Sequence, residues 1–130
     1  MNGRTMSRDG QSSGDLQKRT KAFALRVIRL VERLPNGKTA DVLGKQLLRS
    51  GTSVGANYRS ACRARSAAEF CSKMGIVEEE ADESGYWMEL LADSGVVKAH
   101  LLQDLQKESS EVVAMAVASI RTTRSRNNRV

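Results

Sequence analysis

Apolar side chains spaced three and four residues apart recur through four successive segments of this chain, and this spacing most constrains its fold. It places the apolar side chains on one face of an α-helix. The chain has 130 residues, with a single proline and few aromatic residues, which is typical of a helical domain with an aliphatic core. The predicted helices span about residues 15–34, 40–63, 66–94 and, from a start between 97 and 101, up to 123. Their short connections predict an all-α, antiparallel, up-down-up-down four-helix bundle over residues 15–123.

The two ends of the chain lack this periodicity. Residues 1–14 are rich in Gly, Ser, Arg and Asp and are predicted to form a disordered leader. The last ten residues contain four arginines and no acidic residue, so residues 124–130 are predicted to form a frayed basic tail. No segment resembles a secretory signal or approaches the roughly 20 apolar residues of a membrane span. We therefore expect a cytoplasmic protein with no membrane partner.

The centre of the second predicted helix contains two glycines, Gly51 and Gly55, within a run of Ser and Thr. Each glycine in a helix interior costs about 1 kcal/mol relative to alanine. A continuous helix there requires compensation, for which the simplest source is the close approach of a neighbouring backbone. We predict the continuous helix; the alternative is a break at Gly51 that divides it into two shorter helices.

Charge is segregated between the second and third helices. Five basic residues and no acid lie between Asp41 and Glu69, whereas eight acids and one lysine lie from Glu69 to Asp93. In an antiparallel hairpin that turns near residues 64–65, Arg49 faces Glu79 or Glu80. We predict an ion pair that sets the register of the two helices; the alternative is a surface pair contributing less than about 1 kcal/mol.

Three polar residues near the same turn are predicted to have structural roles. Asn57 faces positions 71–73 of the third helix in this register, which indicates an inter-helix contact. Ser66 and Glu69 match a capping box, in which the hydroxyl and the carboxylate accept hydrogen bonds from free N–H groups at a helix start. The third helix therefore begins at a defined residue.

No residue pattern indicates catalysis or a cofactor. The single histidine, His100, is not preceded by a glutamate three residues earlier, as a dinuclear metal bundle requires. Cys62 and Cys71 lack the spacing of a zinc site. No catalytic triad or phosphate-binding glycine loop is present. We predict a protein that is not an enzyme and that has no metal, no cofactor and no small-molecule substrate.

The formal net charge of +6 permits binding to a polyanion. The strongest candidate is the cluster of Arg59, Arg63 and Arg65, with Tyr58 nearby. Arg121 and Arg124 form a second basic region, which we expect at the opposite end of the bundle. Any nucleic-acid contact is expected to be to phosphates, sensitive to salt and weakly specific for sequence.

Four segments together resemble a bacterial four-helix-bundle protein family that includes proteins encoded in intervening sequences of large-subunit ribosomal RNA genes. They are 47–59 (LLRSGTSVGANYR), 65–70 (RSAAEF), 76–83 (IVEEEADE) and 86–91 (YWMELL). The resemblance implies an antiparallel four-helix bundle that assembles as a ring-shaped homopentamer, with no established catalytic activity. A related group, the accessory proteins of diversity-generating retroelements, binds nucleic acid and a reverse transcriptase. Ser60-Ala61 stands here where many members have Glu-Gly, so no role of that glutamate is carried over.

Two functions remain open. The first is a non-enzymatic homo-oligomeric scaffold, pentameric by resemblance, that binds RNA or DNA through basic surfaces. The third helix, about 43 Å long, supports self-association because it is apolar on more than one side. Its main apolar stripe does not include Ile76, Trp87 and Leu90, and this additional apolar surface indicates an interface beyond the core of the chain. The alternative is a protein–protein adaptor whose acidic third-helix face docks a basic partner.

Overall fold

The computed structural model describes residues 13–128 and contains four α-helices with no strand in that part of the chain. The helices are α1 (Ser13–Glu32), α2 (Lys38–Ala61), α3 (Ala67–Asp93) and α4 (Gln103–Asn127), with a short 3-10 helix (Ala99–Leu101) before α4. Each α-helix packs mainly against the next one along the chain, whereas α1 and α4 approach each other much less. The predicted all-α four-helix bundle is confirmed. Most of the predicted leader, residues 1–12, lies outside the described residues.

One apolar core runs through the bundle and receives side chains from every helix. Its largest fully buried side chains are almost all aliphatic, as the sparse aromatic content predicts. Burying each such side chain contributes about 1.5–3 kcal/mol. They include Phe23 and Val27 of α1, Leu47 and Val54 of α2, Val77, Met88 and Leu91 of α3, and Leu102 just before α4.

Local signals define the helix ends around α3. Ser66 caps α3 by accepting a hydrogen bond from the backbone N–H of Glu69 at 3.0 Å. This is one half of the predicted capping box, and the Glu69 side chain is exposed. After α3, Gly95 takes a φ of 82°, in the left-handed region that favours glycine, and the chain turns away.

The second helix is continuous through Gly51 and Gly55, as predicted. A β-carbon at Gly51 would lie 2.9 Å from both γ-carbons of Val27, and one at Gly55 would lie 3.4 Å from the hydroxyl oxygen and 3.5 Å from the backbone carbonyl carbon of Thr20. The compensating neighbour is therefore α1. At Gly51 the close contact is with a side chain, whereas at Gly55 it includes backbone.

A buried hydrogen bond joins α2 to α3 at the residue next to Gly51. The hydroxyl oxygens of Ser50 and Ser84 lie 2.9 Å apart, and the Ser84 hydroxyl also lies 2.8 Å from the carbonyl oxygen of Glu80. Both serines are fully buried. Buried hydroxyls need partners of this kind, so the pair favours a single register of α2 against α3.

The last helix extends to Asn127, beyond the predicted end at residue 123. Ile120 is buried, and Thr123 and Arg124 line a shallow groove together with Ala67 and Ala68 at the start of α3. Packing against α3 therefore continues past the last strongly apolar residue. As a result, Arg121 and Arg124 project from a helix and are not part of a frayed tail.

The contact between Gly51 and Val27 yields a stability test. Gly51→Ala is expected to destabilise the protein by a net of about 1–2 kcal/mol, because overpacking outweighs the gain of about 1 kcal/mol in helix propensity. Gly75→Ala is the matched control, since nothing lies within 4 Å of a β-carbon at that interior position of α3. It should stabilise by about 0.5–1 kcal/mol. Urea unfolding measures both, and a stabilised Gly51→Ala would contradict the close approach.

Candidate nucleic-acid interface

A shallow groove at the end of α2 brings the three predicted arginines together. Arg59, Arg63 and Arg65 line it along with Ala56, Ser60 and Glu69, and its volume is about 540 Å³. All three arginines are exposed. Arg59 and Arg63 lie on the same side because they are four residues apart. The helical turn continues past Ala61, since the backbone N–H groups of Arg63 and Ala64 donate to the carbonyl oxygens three residues earlier.

Tyr58 does not contribute an aromatic surface to this groove. Its side chain is 5% exposed and belongs to the apolar core. The sequence places it beside Arg59, but on a helix adjacent residues point about 100° apart. Its ring therefore packs inward while the Arg59 guanidinium faces solvent.

A second groove, between α1 and α2, adjoins the first. Lys18 and Lys21 of α1 line one wall and Arg59 of α2 lines the other, around a volume of about 600 Å³. The two grooves share Ala56 and Arg59, so they form one continuous surface. We call this surface the basic groove, and its cations are Lys18, Lys21, Arg59, Arg63 and Arg65.

The two lysines were not predicted as site residues. In the sequence they lie on a basic face of the first helix, and such a face is typical of a solvent-exposed helix surface. Only the packing of α1 on α2 shows that Lys18 and Lys21 face Arg59. The nearest signal in the sequence was Gly55, a small residue that packs beside Thr20 of α1.

The α4 arginines lie at the same end of the bundle as the basic groove, which corrects the prediction of an opposite end. Arg124 shares a cleft of about 390 Å³ with Ala67, Ala68 and Cys71 of the first turns of α3. The physical reason is topological: in an up-down-up-down bundle the second and fourth helices run in the same direction and end together. Arg121, also exposed, precedes Arg124 by about one helical turn.

These cations have no ionic partner within the part of the chain that the structure describes. Across residues 13–128, no ion pair forms with any cation of the basic groove, with Arg121 or with Arg124. Glu69 lies in the groove lining but is not within ion-pair distance of the arginines beside it. The charge at this end of the bundle is therefore largely uncompensated.

Arg19 behaves differently from its neighbours on α1. Its Nε donates to Glu108 Oε2 at 2.7 Å and its Nη2 to Glu108 Oε1 at 2.9 Å, and it also pairs with Glu111. The hydrogen bonds from Arg19 hold the pKa of the Glu108 carboxyl below its usual range, against the opposing effect of burial. This pairing links α1 to α4 across 89 residues of sequence and was not predicted.

Arg49 is also an ion-paired arginine. Its Nη1 lies 3.1 Å from Glu80 Oε1, and its Nη2 pairs with Glu83. Glu80 was one of the two predicted partners; Glu79 is exposed and Glu83 was not anticipated. Because the Arg49 side chain is 49% exposed, each pair is expected to contribute less than about 1 kcal/mol.

The side-chain hydrogen bond of Asn57 lies within its own helix. Its Nδ2 donates to the backbone oxygen of Ser53 at 2.8 Å, within α2. The amide side chain is long enough to reach the carbonyl one turn earlier on its own helix. Asn57 therefore satisfies its donor locally and makes no recorded hydrogen bond to α3 among the described residues.

Between residues 13 and 128, no group of three or more His, Cys, Asp or Glu side chains has the arrangement of a metal site. In the same range no helix is both long and apolar enough to cross a membrane. Cys62 is exposed and Cys71 half-buried, and both are free thiols.

These features define the class as an antiparallel helical bundle with an exposed basic end. The chain belongs to the 23S rRNA-intervening sequence protein family, whose sequence model matches residues 14–118. It is also similar to a crystal structure of a protein of unknown function from the S23 ribosomal protein family of Bacteroides thetaiotaomicron. That similarity is 34% identity with a TM-score of 0.78, over 84% of this chain and 97% of that chain. Comparison with curated proteins gave no match.

The depressed pKa of Glu108 gives a pH-dependent stability test. A carboxyl whose folded pKa lies below its unfolded value stabilises the fold above the unfolded pKa, and this contribution is lost as pH falls through the folded pKa. Glu108→Gln should therefore be less stable than the natural protein at about pH 7, by about 1 kcal/mol after solvent screening, and the difference should shrink toward about pH 3.

Urea unfolding at both pH values measures this difference. Glu79→Gln is the matched control, because Glu79 is exposed and forms no recorded ion pair among the described residues. Its effect should be small at both pH values. A Glu108→Gln deficit that stays constant between the two would contradict the ionic role.

Proposed function

We propose that this protein is a non-enzymatic, self-associating helical scaffold that binds RNA or DNA through its basic end. The observation that carries the proposal is a continuous groove lined by exposed cations of α1, α2 and the α2–α3 connection, with the α4 arginines at the same end of the bundle and no ion pair to any of these cations among residues 13–128. The family takes its name from 23S rRNA intervening sequences, so a 23S rRNA fragment is the first probe to use.

The electrostatics of this end favour a polyanion. Like charges gathered at one end repel each other, and a phosphate backbone relieves that repulsion while releasing its own counterions. The groove lies along helix surfaces and presents no helix shaped to enter a DNA major groove. Phosphate contacts are therefore expected to dominate, with weak dependence on sequence.

The adaptor alternative has less support from the geometry. Glu80 and Glu83 of the acidic α3 face are already paired with Arg49, so less of that face is free for a basic partner. Exposed acids such as Glu79, Asp82 and Glu89 remain on α3. A protein partner whose capture survives nuclease treatment and is abolished by neutralising these three residues would favour this alternative.

The nucleic-acid proposal predicts a localised salt-sensitive interaction. A fragment of 23S rRNA should bind at low ionic strength, with affinity falling steeply as salt rises. Arg59→Gln/Arg63→Gln should weaken binding and lower the slope of log affinity against log salt by about 2, one for each lost phosphate contact. Fluorescence anisotropy across a salt series measures both quantities.

The matched control is Arg29→Gln/Arg33→Gln. It removes the same charge from exposed positions at the end of α1 remote from the groove. Its effect on the slope should be much smaller. Absence of binding at low ionic strength overturns the nucleic-acid proposal, and an equal loss in both variants overturns the assignment to the basic groove.

Self-association is supported by apolar side chains left exposed on the two central helices. Tyr86 of α3 is 52% exposed and Leu48 of α2 is 36% exposed. The register that pairs Ser50 with Ser84 brings Leu48 and Tyr86 to the same level of the bundle. The resemblance to ring-forming family members suggests a pentamer.

The natural protein should therefore be oligomeric at micromolar concentration in static light scattering. Leu48→Lys/Tyr86→Lys should shift it toward monomer while helical circular dichroism is retained, because charged side chains oppose burial at an interface. Leu101→Lys is the control, since Leu101 is 63% exposed in the α3–α4 connection. A monomeric natural protein would refute self-association, and an oligomeric double variant would refute this interface.

A further inference from the structure

We propose that the basic groove receives the phosphate backbone of a double-stranded nucleic acid and not the bases of a single strand. This inference rests on the nucleic-acid binding proposed above and specifies the form of its ligand. It follows from what the groove contains and from where every aromatic side chain of the chain lies.

Proteins that bind single strands combine a basic path with aromatic side chains on which successive bases stack. The whole chain has five aromatic residues, Phe23, Tyr58, Phe70, Tyr86 and Trp87, and all of them lie within the described residues. Phe23 and Tyr58 are buried, and Phe70 packs against the core. Tyr86 and Trp87 contact each other on α3, with ring centroids 5.2 Å apart. None of the five lines either part of the groove.

Without aromatic rings, the groove offers cations carried on two packed helices. Lys18 and Lys21 project from one helix and Arg59 from the next, across a floor that includes Gly55 and Ala56. At this level Gly55 of α2 packs beside Thr20 of α1, so the spacing between the two walls is set by helix packing. Walls of fixed separation suit the regularly spaced phosphates of a stiff duplex, whereas a flexible strand must also be ordered on binding.

Duplex recognition of this kind uses shape and phosphates and needs no access to base edges. Double-stranded RNA in particular is bound mostly by shape, phosphate and sugar contacts, whereas sequence-specific proteins splay single-stranded bases onto aromatic or guanidinium surfaces. The groove has the cations required for the former; for the latter it has the guanidinium groups of Arg59, Arg63 and Arg65 but no aromatic ring. The basic groove is therefore a backbone-binding surface suited to helical nucleic acid.

The test compares blunt duplexes with unstructured single strands of equal phosphate number, using the full chain in fluorescence anisotropy at one low salt concentration. RNA duplex, DNA duplex, single-stranded RNA and single-stranded DNA form the four arms. We expect at least one duplex to bind on the order of tenfold more tightly than the single strand of the same chemistry. The inference is supported if the RNA duplex, the DNA duplex or both bind more tightly than the matching single strand. Which duplex binds then identifies whether the backbone is RNA or DNA.

The outcomes separate this inference from the function on which it rests. Single strands that bind as tightly as duplexes, or more tightly, overturn duplex recognition and leave nucleic-acid binding intact. No binding in any arm overturns both. Lys18→Gln/Lys21→Gln should weaken duplex binding and reduce its salt slope by about 2, and an unchanged slope would overturn the participation of the α1 wall.

Discussion

The structure depends on how closely α2 fits between its two neighbours. Gly51 brings α2 against Val27 of α1, and the adjacent Ser50 shares a buried hydrogen bond with Ser84 of α3. Gly51 therefore fixes the contact of α2 with α1, and the neighbouring Ser50 fixes its contact with α3. Rotating α2 by one residue would press a hydroxyl side chain into Val27 and separate the two buried serines, each of which costs free energy. One short segment therefore sets the position of three helices.

The basic groove is a consequence of the same packing. One turn beyond Gly51, Gly55 packs beside Thr20 of α1. The lysines of α1 and Arg59 of α2 lie on opposite sides of a groove whose floor includes small residues. The surface proposed to bind nucleic acid is thus positioned mainly by core packing, since Lys18, Lys21 and Arg59 lie on packed helices, whereas Arg63 and Arg65 lie in the short connection between α2 and α3.

Tertiary structure also divides the arginines into two groups with different roles. Arg19 and Arg49 are held by carboxylates of α4 and α3, where they link helices. Arg59, Arg63 and Arg124 are exposed and unpaired in the described part of the chain. Charged side chains paired within the fold are poor partners for a ligand, whereas unpaired cations gathered at one end attract phosphate. This division gives the proposed function a specific location.

The sequence alone predicted the bundle, the cap at Ser66, the continuous second helix and a partner for Arg49 at Glu79 or Glu80, because each follows from helical periodicity or from a short turn of known register. It also predicted the cluster of Arg59, Arg63 and Arg65, but not which other cations lie beside it. Arg19 and Lys18 are adjacent in sequence, yet one pairs with Glu108 and the other lines the groove. The placement of Arg124 at the same end of the bundle as Arg65 depends on the direction of whole helices. Such contacts join residues far apart in the chain. Local sequence patterns do not predict them, because they depend on how whole helices pack in the tertiary structure.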